Sequence, residues 1–493
     1  MTTNVYRMSA SHDGAPKVKE LDALLRAQRA AYLSEGPPSA EVRKDRLDRL
    51  ILMLTETADA FTVALNEDFG NRPETVSLFA DVAGALPDIS ATRRKLKSWM
   101  RPDVVRSTAL AGVPTIIEKR PLGVVGIIGP WNFPVGLTTQ PAASALAAGN
   151  RVMIKFSEAT PNTAEVYSSA VAKHFAAEEM TVVTGGPEVG AAFSALHFDH
   201  LFFTGSPQVG ALVARTAAEN LVPTTLELGG KNPAVVSGSA DIIKAAVRIM
   251  SARLVNGGQL CLCPDYAFVP RAKVAAFVEA AIATAGKAAA AHGGAGLVSI
   301  INDKNFERVN GLIDDARAHG ADVRQAPAPG GIVRRIQPTI LVGVNDQMRV
   351  AREEVFGPVL SVFPYDDIDT VVTYVNARPS PLAAYWYGDK GRDFDEFRRR
   401  VASGGMTVND FAAHCGIHLA PFGGVGHSGW GAYHGKTGFD TLSHHRTITT
   451  SRLPVSFADM LTPPYSSTMA RGVRAYVGLH RRRAARRMAR HRS

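Results

Sequence analysis

The chain has 493 residues, 46% of them hydrophobic and 20% charged, the balance of an ordinary globular protein of about two to four domains. A net charge of +10 suggests nucleic acid until it is located: nine arginines lie between Arg471 and Arg492 with no acidic residue among them, and the remainder carries 46 basic against 45 acidic side chains. The basic character belongs to a tail, which excludes a nucleic-acid groove in the body, and three cysteines (Cys261, Cys263, Cys415) exclude a disulfide framework.

Met1–Glu20 is polar and mixed in charge, without the apolar stretch of a secretory leader. No run approaches the roughly 18 apolar residues that a spanning helix needs, so a cytoplasmic location is expected. The first third reads as helical: Leu47, Leu50, Ile51 and Leu54 form one apolar stripe, and Arg43, Lys44, Asp48 and Arg49 a wet face. Short β-rich runs follow at Gly123–Gly129, Arg151–Phe156, Met180–Thr184, Leu201–Thr204 and Thr224–Leu228. Helical stretches lie between them at Ala142–Ala148, Thr163–Phe175 and Val209–Asn220. That alternation predicts βαβ units and a parallel sheet. After Lys231-Asn232-Pro233 a second α/β set begins, with strands at Ala234–Val236 and Tyr266–Val269 and a helix at Asp241–Val255, and it runs to about Asp410. Ala326–Gly331 reads as a surface loop.

Four constellations carry chemistry. Cys261 follows a helix-length apolar run that ends at Asn256, and the pair Gly257-Gly258. Glycines let backbone approach a ligand, and a nucleophilic thiol needs an exposed, electropositive setting; the plain alternative is a small buried core residue. Glu227 stands near a strand end among Leu226, Leu228 and Gly229, where an unpaired carboxylate is expensive to bury. It reads as a general base of raised pKa, or as a surface partner of Lys231. In Pro130-Trp131-Asn132-Phe133-Pro134 two prolines fix a loop that offers the Asn132 amide to an oxyanion, or simply make a rigid turn with Trp131 packed on the core.

The fourth set suits a dinucleotide. Gly424, Gly426 and Gly429 match G-x-G-x-x-G, but they follow no strand and open no helix. Phe203–Gly210 does pass from strand to helix, so that Ser206 meets a pyrophosphate beside a helix N-terminus. Lys155, Ser157 and Glu158 follow another strand end and suit an adenosine ribose. Glu158 accepting from the ribose hydroxyls favours NAD over NADP. Each alone also reads as an ordinary turn.

Together, and in this order, PWNFP, IKFSE, FTGSPQVG, ELGGK, GQLC, Glu353–Pro358 (EEVFGP) and Pro421–Gly424 (PFGG) resemble the aldehyde dehydrogenase superfamily from about residue 20 to 455. By matching position the resemblance implies Cys261 as nucleophile, Asn132 as oxyanion donor and Glu227 as general base. It puts Lys155 and Glu354 on the cofactor riboses, Ser206 on the pyrophosphate and Phe356 beside the nicotinamide. Trp131, Ser157, Glu158, Gly205, Gly210, Leu228 and Gly229 complete the surface for NAD, with NADP as the alternative. The implied α/β fold has a Rossmann-like cofactor domain (1–107 and 120–228) and a catalytic domain (229–418). Bridging or oligomerisation strands at 108–119 and 440–453 and a basic tail at 460–493 complete it.

The implied reaction is oxidation of a small aldehyde to the acid through a Cys261 thioester, with no metal. Gly423–Gly429, Gly431–Lys436 and Phe439–Thr441 are similar to the short, dimeric class 3 type, hence an expected homodimer. Asp68–Arg72 (DFGNR) further resembles coniferyl aldehyde dehydrogenases, which points to an aromatic aldehyde. Phe156 and Pro207 depart from the family pattern and bear on cofactor preference. The tail reads as a solvated, disordered end or, more sharply, as a peripheral contact with anionic lipid.

Other readings are a long-chain or broad-specificity aldehyde dehydrogenase, an acylating enzyme that hands its thioester to coenzyme A, a cofactor-binding structural relative, and a metal site of His414, Cys415 and His418. Glu227 as a base favours hydrolysis. Cys261, Glu227 and Asn132 together argue against a structural relative. A missing fourth ligand, and Gly416 in the expected helix, argue against the metal.

Overall fold

The computed structural model describes residues 14–327 and 329–490. Met1–Asp13 of the expected cofactor domain, Ala328 of the Ala326–Gly331 loop and Arg492 of the tail lie outside the described residues. The chain divides into two units, one of residues up to Arg101 and Lys119–His445, the other of Pro102–Glu118 and Arg446 onward.

In the first unit, the helix Ala40–Glu56 buries Leu47, Leu50 and Leu54, and Ser39 caps it by accepting from the Val42 N–H. Arg43, expected on the wet face, is instead buried. Its guanidinium donates to the carbonyls of Ala147 and Ala148 at 3.1 and 2.6 Å, the otherwise unpaired end of the helix Gly136–Ala148.

Strands β1 (Asp103–Val105) and β2 (Thr115–Pro121) come first. Five more follow: β3 (Val124–Ile128), β4 (Arg151–Lys155), β5 (Met180–Val183), β6 (His200–Gly205) and β7 (Thr224–Leu228). Helices Gly136–Ala148, Pro161–His174, Pro187–Ser194 and Pro207–Glu219 join these five, which run parallel in the order β7-β6-β3-β4-β5. Both faces are covered. Val124 and Ile128 pack with Leu21 and Leu25, whereas Val125 and Ile127 pack with Ala142 and Leu146. Burial on both sides explains why these strands read as continuous apolar runs. β4 and β6 lie on opposite sides of β3, so strand order reverses there, and the crevice at the carboxyl ends is where open α/β sheets hold ligands.

The second sheet takes β8 (Asn232–Val236), β9 (Pro264–Pro270), β10 (Asp322–Gln325), β11 (Thr339–Val342), β12 (Val359–Tyr365), β13 (Ala383–Tyr387) and β14 (Gly405–Val408). Their order is β10-β11-β12-β9-β8-β13-β14, parallel except for β10 against β11. β15 (Gly429–Trp430) returns to the first sheet, antiparallel to β7. β16 (Ser443–Thr449) completes a third sheet in the order β1-β2-β16.

Three expectations change. The bridging segment expected at 108–119 opens with a short helix, Arg106–Leu110, and the strand starts only at Thr115. Gly112, at a φ of 76°, turns the chain between them. Arg271–Gly294 is apolar and long enough by composition to cross a membrane, although no such run stood out in the sequence. Its alanines blur the count, and its central helix Val274–Ala290 buries Phe277, Val278, Ala281, Ala285 and Ala289. The tail is not irregular: Ser467–Arg490 is one helix of 24 residues.

Candidate active site

Every group singled out for the cofactor on the first sheet follows or ends one of its strands. Trp131 and Asn132 come after β3, Lys155, Ser157 and Glu158 at or after the end of β4, Gly205 and Ser206 at the end of β6, and Leu228 and Gly229 at the end of β7. Cys261 lies just before β9 of the second sheet. The loop that carries it is irregular backbone in the interior, and irregular buried backbone needs side-chain partners.

Those partners are amides. The Asn132 side chain donates to the Gln259 carbonyl at 3.1 Å, and Asn256 donates to the carbonyls of Asn132 and Gln259 at 3.1 and 3.3 Å. Gln259 donates to Asn256 and Ser299 and accepts from the Ile301 N–H. On the other side of the thiol, Asn232 donates to the Cys261 carbonyl at 2.6 Å and to the Cys263 carbonyl at 3.0 Å. Asn256, Gly257 and Gly258 are all left-handed, at φ of 50, 63 and 78°. A Cβ at Gly258 would stand 2.2 Å from the Gly357 carbonyl oxygen, so only glycine fits. The network ties the Asn132 amide to the backbone two residues before Cys261. One of its two hydrogens is engaged by Gln259, and the second remains as a donor.

The Asn132 loop has a support the motif reading missed. Arg72, fully buried, donates to the Asn132 carbonyl at 3.1 Å and pairs with Asp81 at 2.5 Å. The other Asp81 oxygen accepts from the N–H groups of Val135 and Gly136 at 3.0 and 3.2 Å. Asp68, from the same DFGNR run, accepts from the backbone of Asn162 and Thr163 and caps the helix after IKFSE. The sequence offered one signal, a charged residue closely following apolar Phe69, but no hint of Asp81.

Glu227 is 5% exposed, on β7 and opposite Gly429 of β15, and neither carboxyl oxygen has a hydrogen-bond partner among the described residues. Burial pushes its pKa well above the usual carboxylate range. The pairing with Lys231 does not occur: Lys231 binds Asp265 and the carbonyls of Val350 and Glu353. Burial also raises the Cys261 thiol well above its ordinary value, and Glu354, Cys415 and Glu227 reinforce the shift. Glu354 moves up to about 7, through burial and then Asp265, against a hydrogen bond from Gly230. Cys261, Glu227, Glu354 and Cys415 thus share one field.

Cofactor groups are arranged as follows. Lys155 is buried and pairs with the exposed Glu158 at 2.6 Å. Ser157, also buried, accepts from the Ala159 N–H. Ser206 caps the helix Pro207–Glu219, with Pro207 in its first turn. Gly210 packs so closely on Leu228 that a Cβ would fall 2.6 Å from its Cδ2, and a Cβ at Gly229 would fall 2.2 Å from the Glu354 carboxyl. The Phe356 ring stands edge-on to Trp131, centroids 5.4 Å apart. Phe156 is 1% exposed and packs on Tyr167, so this departure from the family pattern is a core substitution and not a cofactor contact. Cys263, buried, donates to the Ala252 carbonyl. His414 shares a hydrogen bond with Thr407, and 414–418 lies in turns, which removes the helical face that a two-histidine metal site would use.

A profile described as the aldehyde dehydrogenase family matches residues 13–448. Over 470 residues the chain is 44% identical to the "Probable coniferyl aldehyde dehydrogenase" of Caulobacter vibrioides, covering 93% of this chain and 96% of that one. It is 42% identical to the "Coniferyl aldehyde dehydrogenase" of a Pseudomonas species over 88% and 92% of the two chains. Among solved structures, the substrate-bound state of Staphylococcus aureus AldH superposes with a TM-score of 0.86 at 30% identity, over 93% of this chain and 99% of that one.

Arg72→Met leaves the buried Asp81 carboxylate uncompensated. Chemical denaturation should show a loss of about 3–5 kcal/mol, and kcat should fall with little change in the KM for cofactor. Arg72→Lys should recover part of both. A variant as stable and as active as the parent would remove Arg72 from the account.

Proposed function

The chain belongs to the aldehyde dehydrogenase family and oxidises an aldehyde with NAD or NADP as acceptor, and from that premise we propose that Cys261 is its nucleophile, Asn132 its oxyanion donor and Glu227 the base that frees the product. The observation that carries this reading is Glu227 itself: a buried carboxyl with neither oxygen partnered among the described residues, within electrostatic reach of Cys261. Structural carboxylates are not left that way without cost.

The residues at the strand ends suit a dinucleotide. Gly229 has no room for a side chain beside Glu354, Ser206 sits at a helix N-terminus, and Lys155 and Glu354 offer ribose contacts. A nicotinamide held there by Lys155, Ser206 and Glu354 would supply the hydride acceptor that the oxidation needs. The chain's own groups do the rest. Cys261 gives up its proton to water, and its sulfur bonds the aldehyde carbon, whose carbonyl π electrons move onto oxygen. The second hydrogen of the Asn132 amide and the Cys261 N–H hold the oxyanion, a donor worth roughly 3 kcal/mol in comparable sites. Loss of hydride leaves a thioester on Cys261. Glu227 then takes a proton from water, whose oxygen attacks the acyl carbon; sulfur leaves as thiolate and the carboxylic acid departs.

An aromatic, coniferaldehyde-like substrate is proposed on two grounds. One is the names of the two relatives. The other is Tyr433, a buried ring coupled electrostatically to Glu227 and Cys261, which contacts Phe422 and Phe202 with centroids 5.8 and 5.2 Å apart. NAD is the proposed preference, through Glu158. A cytoplasmic homodimer completes the proposal, on the class 3-like Gly423–Lys436 run.

Cys261→Ala should show no turnover. Glu227→Gln should keep a hydride burst of one equivalent and lose steady-state rate by about 10²–10⁴-fold, with the acyl group visible on Cys261 by mass spectrometry. If the burst is lost as well, Glu227 acts earlier. Only ionised Glu227 accepts the proton, and its pKa is raised, so the deacylation rate should climb with pH well beyond the usual carboxylate range; in Glu227→Gln that climb should vanish.

Coniferaldehyde should give a higher kcat/KM than hexanal, and NAD higher than NADP. Glu158→Gln should narrow the cofactor ratio by about tenfold. Equal rates on the two aldehydes would favour the broad-specificity reading.

A further inference from the structure

The catalytic proposal uses nothing beyond residue 455, yet that segment holds an unusual surface. Of the large apolar side chains that stand exposed among the described residues, ten fall between Val455 and Met488. The helix Ser467–Arg490 has no buried residue, and at 1.5 Å per residue it is about 36 Å long. Wound at about 100° per residue, it gathers Met469, Val473, Tyr476, Val477, Ala484 and Met488 on about one third of its circumference. Its eight arginines occupy mostly the remainder; Arg487 and His480 intrude on the stripe, His480 with its ring against Tyr476, and Leu479 lies off it. The helix contains no acidic residue.

An exposed helix with Gly472 and Gly478 inside it gains little from propensity, and helices in proteins draw their stability mostly from a packed face. This helix needs a surface that takes an apolar stripe and many positive charges at once. Nucleic acid would neutralise the arginines and leave the stripe in water. A second copy of the helix would bury the stripe while setting arginines against arginines. We propose that Ser467–Arg490 docks on an anionic phospholipid bilayer, lying in the interface plane. The stripe enters the acyl boundary, Tyr476 sits at headgroup level, and the arginines reach phosphate. The helix carries the catalytic unit to a lipid surface without crossing it.

The test uses the full chain and phosphatidylcholine vesicles with and without phosphatidylglycerol, in co-sedimentation at low and high salt. Wild type should pellet only with the anionic vesicles and lose about tenfold in affinity at high salt. The double variant Val473→Asp/Tyr476→Asp and the triple variant Arg481→Gln/Arg482→Gln/Arg483→Gln should each weaken binding about tenfold or more, while dehydrogenase rates on a water-soluble aldehyde stay at the parent level. Failure of wild type to pellet at low salt overturns the proposal. So does undiminished vesicle binding by the double variant, which would mark a bare polyanion site. RNA that binds tighter than vesicles would overturn it in favour of nucleic acid. A double variant that loses its oligomer and keeps its vesicle binding would overturn it in favour of a second copy.

Discussion

The rest of the site depends on how the interior backbone around Cys261 is satisfied. A thiol brought between two sheets by an irregular loop strands several carbonyls away from water, and each unpaired one would cost on the order of 1–3 kcal/mol. Side-chain donors on separate elements meet that demand: Asn132 after β3, Asn232 at the start of β8, and Asn256 and Gln259 in the loop itself. Because the same Asn132 amide braces the loop and keeps a second hydrogen free to donate, the proposed oxyanion donor is also a folding contact. Donors fixed before the reaction need no reorganisation during it.

A second layer holds the first. Arg72 and Asp81 form a buried pair that also engages the Asn132 carbonyl and the first N–H groups of the helix Gly136–Ala148. Buried ion pairs often add little net stability, because desolvation offsets attraction. Here the pair fixes a position: it ties the Asn132 loop to the helix that covers the first sheet. Lys231 and Asp265 act alike on the far side, where Asp265 accepts from the Val355 N–H and the Lys231 ammonium donates to the Val350 and Glu353 carbonyls. That pair sets the backbone from which Glu354 and Phe356 project.

Burial has a chemical consequence as well as a structural one. Glu227, Cys261 and Glu354 are all pushed toward their neutral forms, and the two carboxyls add to the shift of the thiol. For Glu227 in its proposed role, a raised pKa suits a base better than that of a surface carboxylate would.

The sequence by itself determined the class of fold and singled out the groups proposed to react. Apolar runs separated by helical stretches can be satisfied only by strands covered on both faces, and Cys261, Glu227 and Asn132 stood in ordered motifs that were legible one by one. It did not determine which polar residues would be partners. Glu227 followed by Lys231 reads as a local pair, yet Lys231 bonds Asp265, which is distant in sequence. Arg43 on an apparent wet face turns inward because an alanine-rich helix ends against it. Phe156, a departure within a cofactor motif, is core. The tail, arginine-rich enough to read as disordered, is a helix with one apolar side. Only the tertiary structure decided these, because the partner of a buried charge or carbonyl is set by which strand and loop ends meet in space, and periodicity along the chain carries no record of that meeting.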